Sequence, residues 1–125
     1  MKTRCNIIRI DPEKRAFTAM HFEGGRSFVR PVCKILRCKR LGHKYVCDVD
    51  GIRLYVAADA EAATDLPGFR FRGSSDSTAG LAILFGQGPN GGMVDSPADI
   101  EWVRRRLIWL EAKDMIDPEP GTTQL

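Results

Sequence analysis

The chain has 125 residues, of which 43% are hydrophobic and 28% charged, with a formal net charge of +3. Such a composition supports one folded domain with a core; it excludes wholesale disorder, and its mildly basic balance excludes a strongly acidic mimic of nucleic acid. Apolar runs such as Leu81 to Phe85 fall far short of the ~18 residues a bilayer span needs, so no membrane contact is expected. The opening Met1-Lys2-Thr3-Arg4-Cys5 develops no signal-peptide apolar core. The expectation is a cytoplasmic protein whose cysteines, Cys5, Cys33, Cys38 and Cys47, are reduced thiols.

Thr3 to Ile10 reads as a strand and Arg15 to Phe22 as its return, with Ala16, Thr18, Met20 and Phe22 on one face. Between them Asp11-Pro12-Glu13-Lys14 is a turn, since proline presets the first central dihedral. Ser27 then caps a short helix over residues 27 to 36. Phe28, Val32, Ile35 and Leu36 form its apolar stripe, and Pro31 is tolerated in the first turn. Asp50-Gly51 predicts a two-residue type I′ turn between Lys44–Val49 and Ile52–Val56. That turn would place Cys47 opposite Leu54 and Asp48 opposite Arg53. Residues 57 to 67 read as a loop, Gly68 to Arg72 as a strand with both arginines outward, and Gly73 to Thr78 as a second loop. Leu81 to Phe85 is unbroken apolar, as in a central strand buried on both faces.

The strongest helix signal is C-terminal. Ser96 is the expected N-cap, Pro97 the first helical residue, and Asp99 favours the dipole at the third. Ile100, Val103, Leu107 and Leu110 recur at helical spacing and form a core stripe. Trp102, Arg105, Arg106 and Trp109 then share the outer face, with guanidinium–indole stacking available between residues four apart. Tryptophan and arginine are the residues most enriched in binding hot spots, so this face is a candidate partner surface. A two-fold homodimer through the same helix is one way to use it. The competing reading packs each indole against a sheet edge as peripheral core. Altogether the pattern predicts an α+β fold. An antiparallel or mixed sheet of about five to seven strands carries one C-terminal helix and a short helix in the N-terminal half. Residues 1–113 form the domain and residues 114–125 a flexible tail.

Charge is segregated. Arg26, Arg30, Lys34, Arg37, Lys39, Arg40 and Lys44 form a stripe with no acid among them, partly on one face of the first helix. A stripe of this kind suits a phosphate backbone or an acidic protein; the alternative is a solvated face.

The chemistry-bearing patterns are weaker. Gly86-x-Gly88-x-x-Gly91 matches the dinucleotide fingerprint letter for letter, yet no helix opens at its last glycine and no parallel strand completes the unit. Asn90-Gly91 reads instead as a hairpin turn into a short strand at Met93–Val94. Cys33, Cys38, His43 and Cys47 have the ligand types of a zinc site but not its paired spacing. A Cys47–His43 dyad lacks an evident oxyanion hole or orienting acid. No catalytic residue, metal or cofactor is therefore expected.

Five features form a familiar order: Ile10-Asp11-Pro12, the Phe28-to-Leu36 helix leading into Cys38, Asp50-Gly51, the strand Gly80 to Gly86, and Ser96-Pro97. The order resembles small αβ domains of unknown function carried by bacteriophages and plasmids, over residues 3 to 112. The resemblance implies an accessory protein of a mobile element and transfers no functional residue. Together with the missing catalytic motifs, it leads to the expectation of a non-catalytic protein-binding accessory protein. Its partner would be a host protein or complex, with inhibition of a host defence complex as the natural role. The alternatives are a DNA- or RNA-binding protein using the Arg26–Lys44 stripe, or a nucleotide-binding scavenger using the glycine-rich loop.

Overall fold

The computed structural model describes residues 3–24, 29–45, 52–58, 65–74, 77–87, 93–96 and 98–116. Strands β1 (Thr3–Asp11) and β2 (Ala16–Gly24) form the expected antiparallel hairpin, with Asp11 paired to Ala16. Its turn is built around the buried Asp11 carboxylate, which accepts from the Glu13 and Lys14 N–H groups at 3.1 and 3.3 Å. Arg15 closes the turn in the left-handed region, at φ 51°.

Helix α1 (Val29–Leu36) follows, then β3 (Leu41–Tyr45) and β4 (Ile52–Ala57). Ser27, the expected cap of α1, lies outside the described residues. Next come β5 (Gly68–Phe71), β6 (Ser77–Ala79), β7 (Ala82–Gln87) and β8 (Met93–Val94). The described chain closes with helix α2 (Ile100–Arg106), strand β9 (Leu107–Leu110) and the short helix α3 (Ala112–Ile116). Residues 114 to 116, the start of the expected tail, complete α3; residues 117–125 lie outside the described residues.

The protein is α+β, with two antiparallel sheets. The larger has the order β2-β1-β7-β4-β3, and β8 pairs with the end of β7; the smaller has the order β6-β5-β9. As the unbroken apolar run predicts, β7 is central, and its residues alternate between two cores. Ile83 and Phe85 join Ile7, Val32 and Leu36 beneath α1. Ala82 and Leu84 join Ile8, Ile10, Leu54 and Val56 on the other face, against Phe69 and Phe71 of β5 and Val103 of α2. The layers are thus α1, the large sheet, and the small sheet with α2.

Two expectations need correction. The β3–β4 register is not that of a two-residue Asp50-Gly51 turn: Tyr45 pairs with Arg53, and Leu41 with Ala57. The strands are offset by three residues from the expected pairing, and an odd offset turns β3 over. Gly42 and Leu41 explain the choice. Gly42 sits opposite Val56, where an added Cβ would stand 2.8 Å from a Val56 methyl. Leu41 packs into the cluster beneath α1. The turn itself, with Asp48 and Cys47, lies outside the described residues.

The second correction concerns the C-terminal helix. Asp99, not Ser96, is the N-cap; its carboxylate accepts from the Trp102 N–H at 2.8 Å. Ser96 is engaged elsewhere, because its N–H donates to the Asn6 carbonyl at 2.9 Å and holds the segment against β1. The chain then buries Ala98 before the helix begins. The helix stops at Arg106, and the apolar run Leu107 to Leu110 becomes β9, paired with β5 from Phe71↔Leu107 to Gly68↔Leu110. Among the described residues no helix is long and apolar enough to cross a membrane.

Candidate anion-binding face

Helix α1 buries Val32 and Leu36 completely or nearly so, which turns Arg30, Lys34 and Arg37 to solvent. These three recur at helical spacing on the face opposite the core. The helix ends in a Schellman motif: the Cys38 N–H donates to the Cys33 carbonyl at 3.0 Å and the Arg37 N–H to the Lys34 carbonyl at 3.3 Å. Arg37 occupies the left-handed position, at φ 57°, where glycine is the usual residue. This turn brings Lys39 beside the helix cations.

The result is an open groove of about 620 Å³ lined by Arg30, Cys33, Lys34, Arg37, Cys38 and Lys39. Among the described residues no acidic side chain lines it. Cations at a helix C-terminus gain from its dipole, each by roughly 0.3–1 kcal/mol, so part of this charge stabilises α1. Four cations around one opening, with no ion pair to them among the described residues, also create a positive field that concentrates anions.

Of the seven residues of the predicted stripe, the structure brings together Arg30, Lys34, Arg37 and Lys39. Arg40 is exposed next to them, and its carbonyl accepts from the Ala58 N–H at 3.0 Å, tying the start of β3 to the end of β4. Lys44 pairs with Leu54 on the edge strand β3. Arg26 lies outside the described residues.

The tryptophan face is divided. Arg106 stacks over Trp102 at 4.7 Å, as the four-residue spacing predicts, while the indole leans on Phe71 at 5.4 Å. Trp109 is on β9 rather than α2. It stacks on Phe17 at 6.2 Å, meets Phe69 edge-on at 6.5 Å, and packs against the core shared with Trp102. A single outward helix face carrying both indoles is therefore not formed, because Trp109 lies on β9. The signal for β9 was present in the sequence: Leu107-Ile108-Trp109-Leu110 has no polar side to offer solvent, as a surface helix must.

A neighbouring arginine group was not anticipated. The Arg72 N–H donates to the Arg106 carbonyl at 2.8 Å, which brings the end of β5 to the last turn of α2. Arg104 stands over Phe17 at 5.8 Å and pairs with Glu101.

His21 is exposed on β2, and Cys47, the expected partner of His43, lies outside the described residues. Gly86 of the dinucleotide-like pattern is inside β7, paired with Val94 of β8, so the hairpin reading holds where it is described. Among the described residues no group of three or more His, Cys, Asp or Glu could hold a metal ion. Comparison of the chain with protein-family models, with curated proteins and with solved structures finds no match in any of the three, so the functional reading rests on the chain's own geometry.

Proposed function

We propose that the chain is a non-catalytic binding protein that docks a polyanion, a nucleic-acid backbone in the first place, on the basic face of α1. The observation that carries this is the convergence of Arg30, Lys34, Arg37 and Lys39 on one open groove. Cations spread evenly over a surface serve solubility; four around one concavity create a local positive field that attracts a chain of phosphates. The nucleotide-scavenger alternative would use the glycine-rich loop, of which residues 88–92 lie outside the described residues.

Binding of single- and double-stranded oligonucleotides measured across a salt series tests the proposal. Affinity should fall steeply with salt, the slope counting the phosphates neutralised. Reversing Arg30, Lys34 and Arg37 together to Glu should abolish it. No detectable binding at low salt, or unchanged binding in the triple variant, defeats the reading.

A protein partner is the second reading, and the Arg106–Trp102 stack favours it. A guanidinium held on an indole, with exposed Arg105 beside it, is a preorganised pair of the type found in hot spots. In this form the surface comprises Trp102, Arg105 and Arg106 without Trp109. The proposed accessory role in a mobile element, including inhibition of a host defence complex, belongs to this reading. An exposed acidic patch on the partner would be its counterpart.

A further inference from the structure

We propose that Cys33 and Cys38 form a reversible thiol–disulfide site in the basic groove, taking as its substrate a small anionic disulfide of the glutathione class. Both cysteines are thiols in the structure, both are half-buried, and both line the same opening. Their meeting follows from the way α1 ends. In a Schellman motif the residue two past the helix end lies beside the one three before it, and a contact between their side chains frequently accompanies it. In this chain those two residues are Cys38 and Cys33, and the defining hydrogen bond joins their own backbones at 3.0 Å. With standard bond lengths that bond holds the two Cα atoms within about 7 Å of each other. Disulfides span about 4.4–6.8 Å between Cα atoms, so closure asks for little backbone movement.

The groove supplies the second requirement, an approach for the oxidant. Arg30, Lys34, Arg37 and Lys39 surround the thiols, and the carboxylates of glutathione disulfide are attracted by that charge. The thiolate of one cysteine attacks a sulfur of glutathione disulfide. The glutathione S–S bond breaks, a mixed disulfide forms, and one glutathione leaves as a thiolate that takes up the proton. The thiolate of the second cysteine then attacks the protein sulfur of the mixed disulfide. The Cys33–Cys38 bond forms and the second glutathione leaves and is protonated. The protein loses two electrons and two protons; glutathione disulfide gains them as two thiols. The site does not depend on nucleic-acid docking, because α1 places the thiols together whether or not the groove is filled.

The test uses the full chain equilibrated in mixtures of glutathione and glutathione disulfide, acid-quenched, alkylated and mapped by mass spectrometry. Trypsin cuts after Lys34 and Arg37, between the two cysteines, so a cross-link joins two otherwise separate peptides. The expected product is a Cys33–Cys38 link that appears as the mixture becomes oxidising and is lost on return to glutathione. Replacing Cys33→Ser should leave a stable glutathione adduct on Cys38. Mapping of the wild-type chain decides the matter even if that variant does not fold. Separate glutathione adducts on both residues, a link from either to Cys5 or Cys47, or no reaction of the pair would each overturn the proposal.

Discussion

Gly42 has a structural role that only its neighbour reveals. A methyl group there would stand 2.8 Å from a methyl of Val56, a β-branched side chain fixed in the core. Gly42→Ala should therefore cost about 1–3 kcal/mol, as overpacking does. Adding Val56→Ala removes the clash, so the double variant should lose less than the two single losses combined. Urea melts of the four chains check this, and strict additivity would refute it. Arg37 presents the opposite case, a large side chain in a position that suits glycine. Arg37→Gly should raise stability by about 0.5–1 kcal/mol while weakening anion binding, which would separate the residue's cost to the fold from its use. Tyr55 stacks on Phe85 at 4.3 Å, and burial raises its phenol above the ordinary tyrosine range. The folded state then holds its proton more tightly than the unfolded state. The resulting stability is intact below pH ~10 and is lost as pH rises through the raised value. Tyr55→Phe should flatten the alkaline decline in Tm relative to the wild-type chain; parallel declines would exclude the effect.

Among the elements, the segment from Asp99 to Leu110 is the most instructive. Helical spacing of Ile100, Val103, Leu107 and Leu110 describes one stripe, yet the helix has only seven residues and then gives way to a strand. The reason is the partner. Strand β5 has β6 on one edge, and its other edge would expose unpaired backbone groups beside the core. The run Leu107 to Leu110 satisfies that edge and places Trp109 next to Phe69. Cα chemical shifts of residues 107 to 110 should accordingly have the sign of strand, and helical values would reject the arrangement. Trp109→Ala should cost about 3 kcal/mol, at the low end for a large aromatic because the ring is only half-buried. The hairpin β1–β2 was readable because local turn and strand chemistry agrees with its tertiary neighbours, and the pairing of β7 with β8 followed from their strand-forming residues, their turn lying outside the described residues. The third hairpin, β3–β4, was readable as a hairpin but not in register, because Asp50-Gly51 speaks for a tight turn while Leu41 and Gly42 answer to α1 and Val56.

At the scale of the molecule, β7 joins the two cores. Its even-numbered residues Ala82 and Leu84 face the small sheet, and its odd-numbered residues Ile83 and Phe85 face α1. Neither core can open without disturbing the strand they share. Unfolding should therefore be a single transition. Tryptophan fluorescence reports only on the small-sheet side, where both indoles pack, whereas far-ultraviolet circular dichroism reports on the whole chain. Their urea transitions should coincide, and separated midpoints would show that the small sheet melts alone. Leu84→Ala should lower both together by about 2–5 kcal/mol.

The sequence by itself determined what depends on neighbours along the chain. It specified the α+β class, the first hairpin and its turn, the amphipathic α1 with its outward cations, the two-faced burial of Leu81 to Phe85, and the Trp102–Arg106 stack. All of these follow from side-chain periods and turn chemistry within a few residues. Only the tertiary structure decided the second sheet, the register of β3 on β4, the cap at Asp99, and the separation of Trp102 from Trp109. It also brought Lys39, from beyond the helix, into one groove with the cations of α1. Apart from Lys39, which the turn ending α1 places, these depend on partners distant in sequence: β5 for β9, Val56 for Gly42, and Asn6 for Ser96. Local patterns are silent on such pairings because several partners would satisfy the same hydrogen bonds. The choice is made by which arrangement buries Phe69, Val103 and Leu84 together.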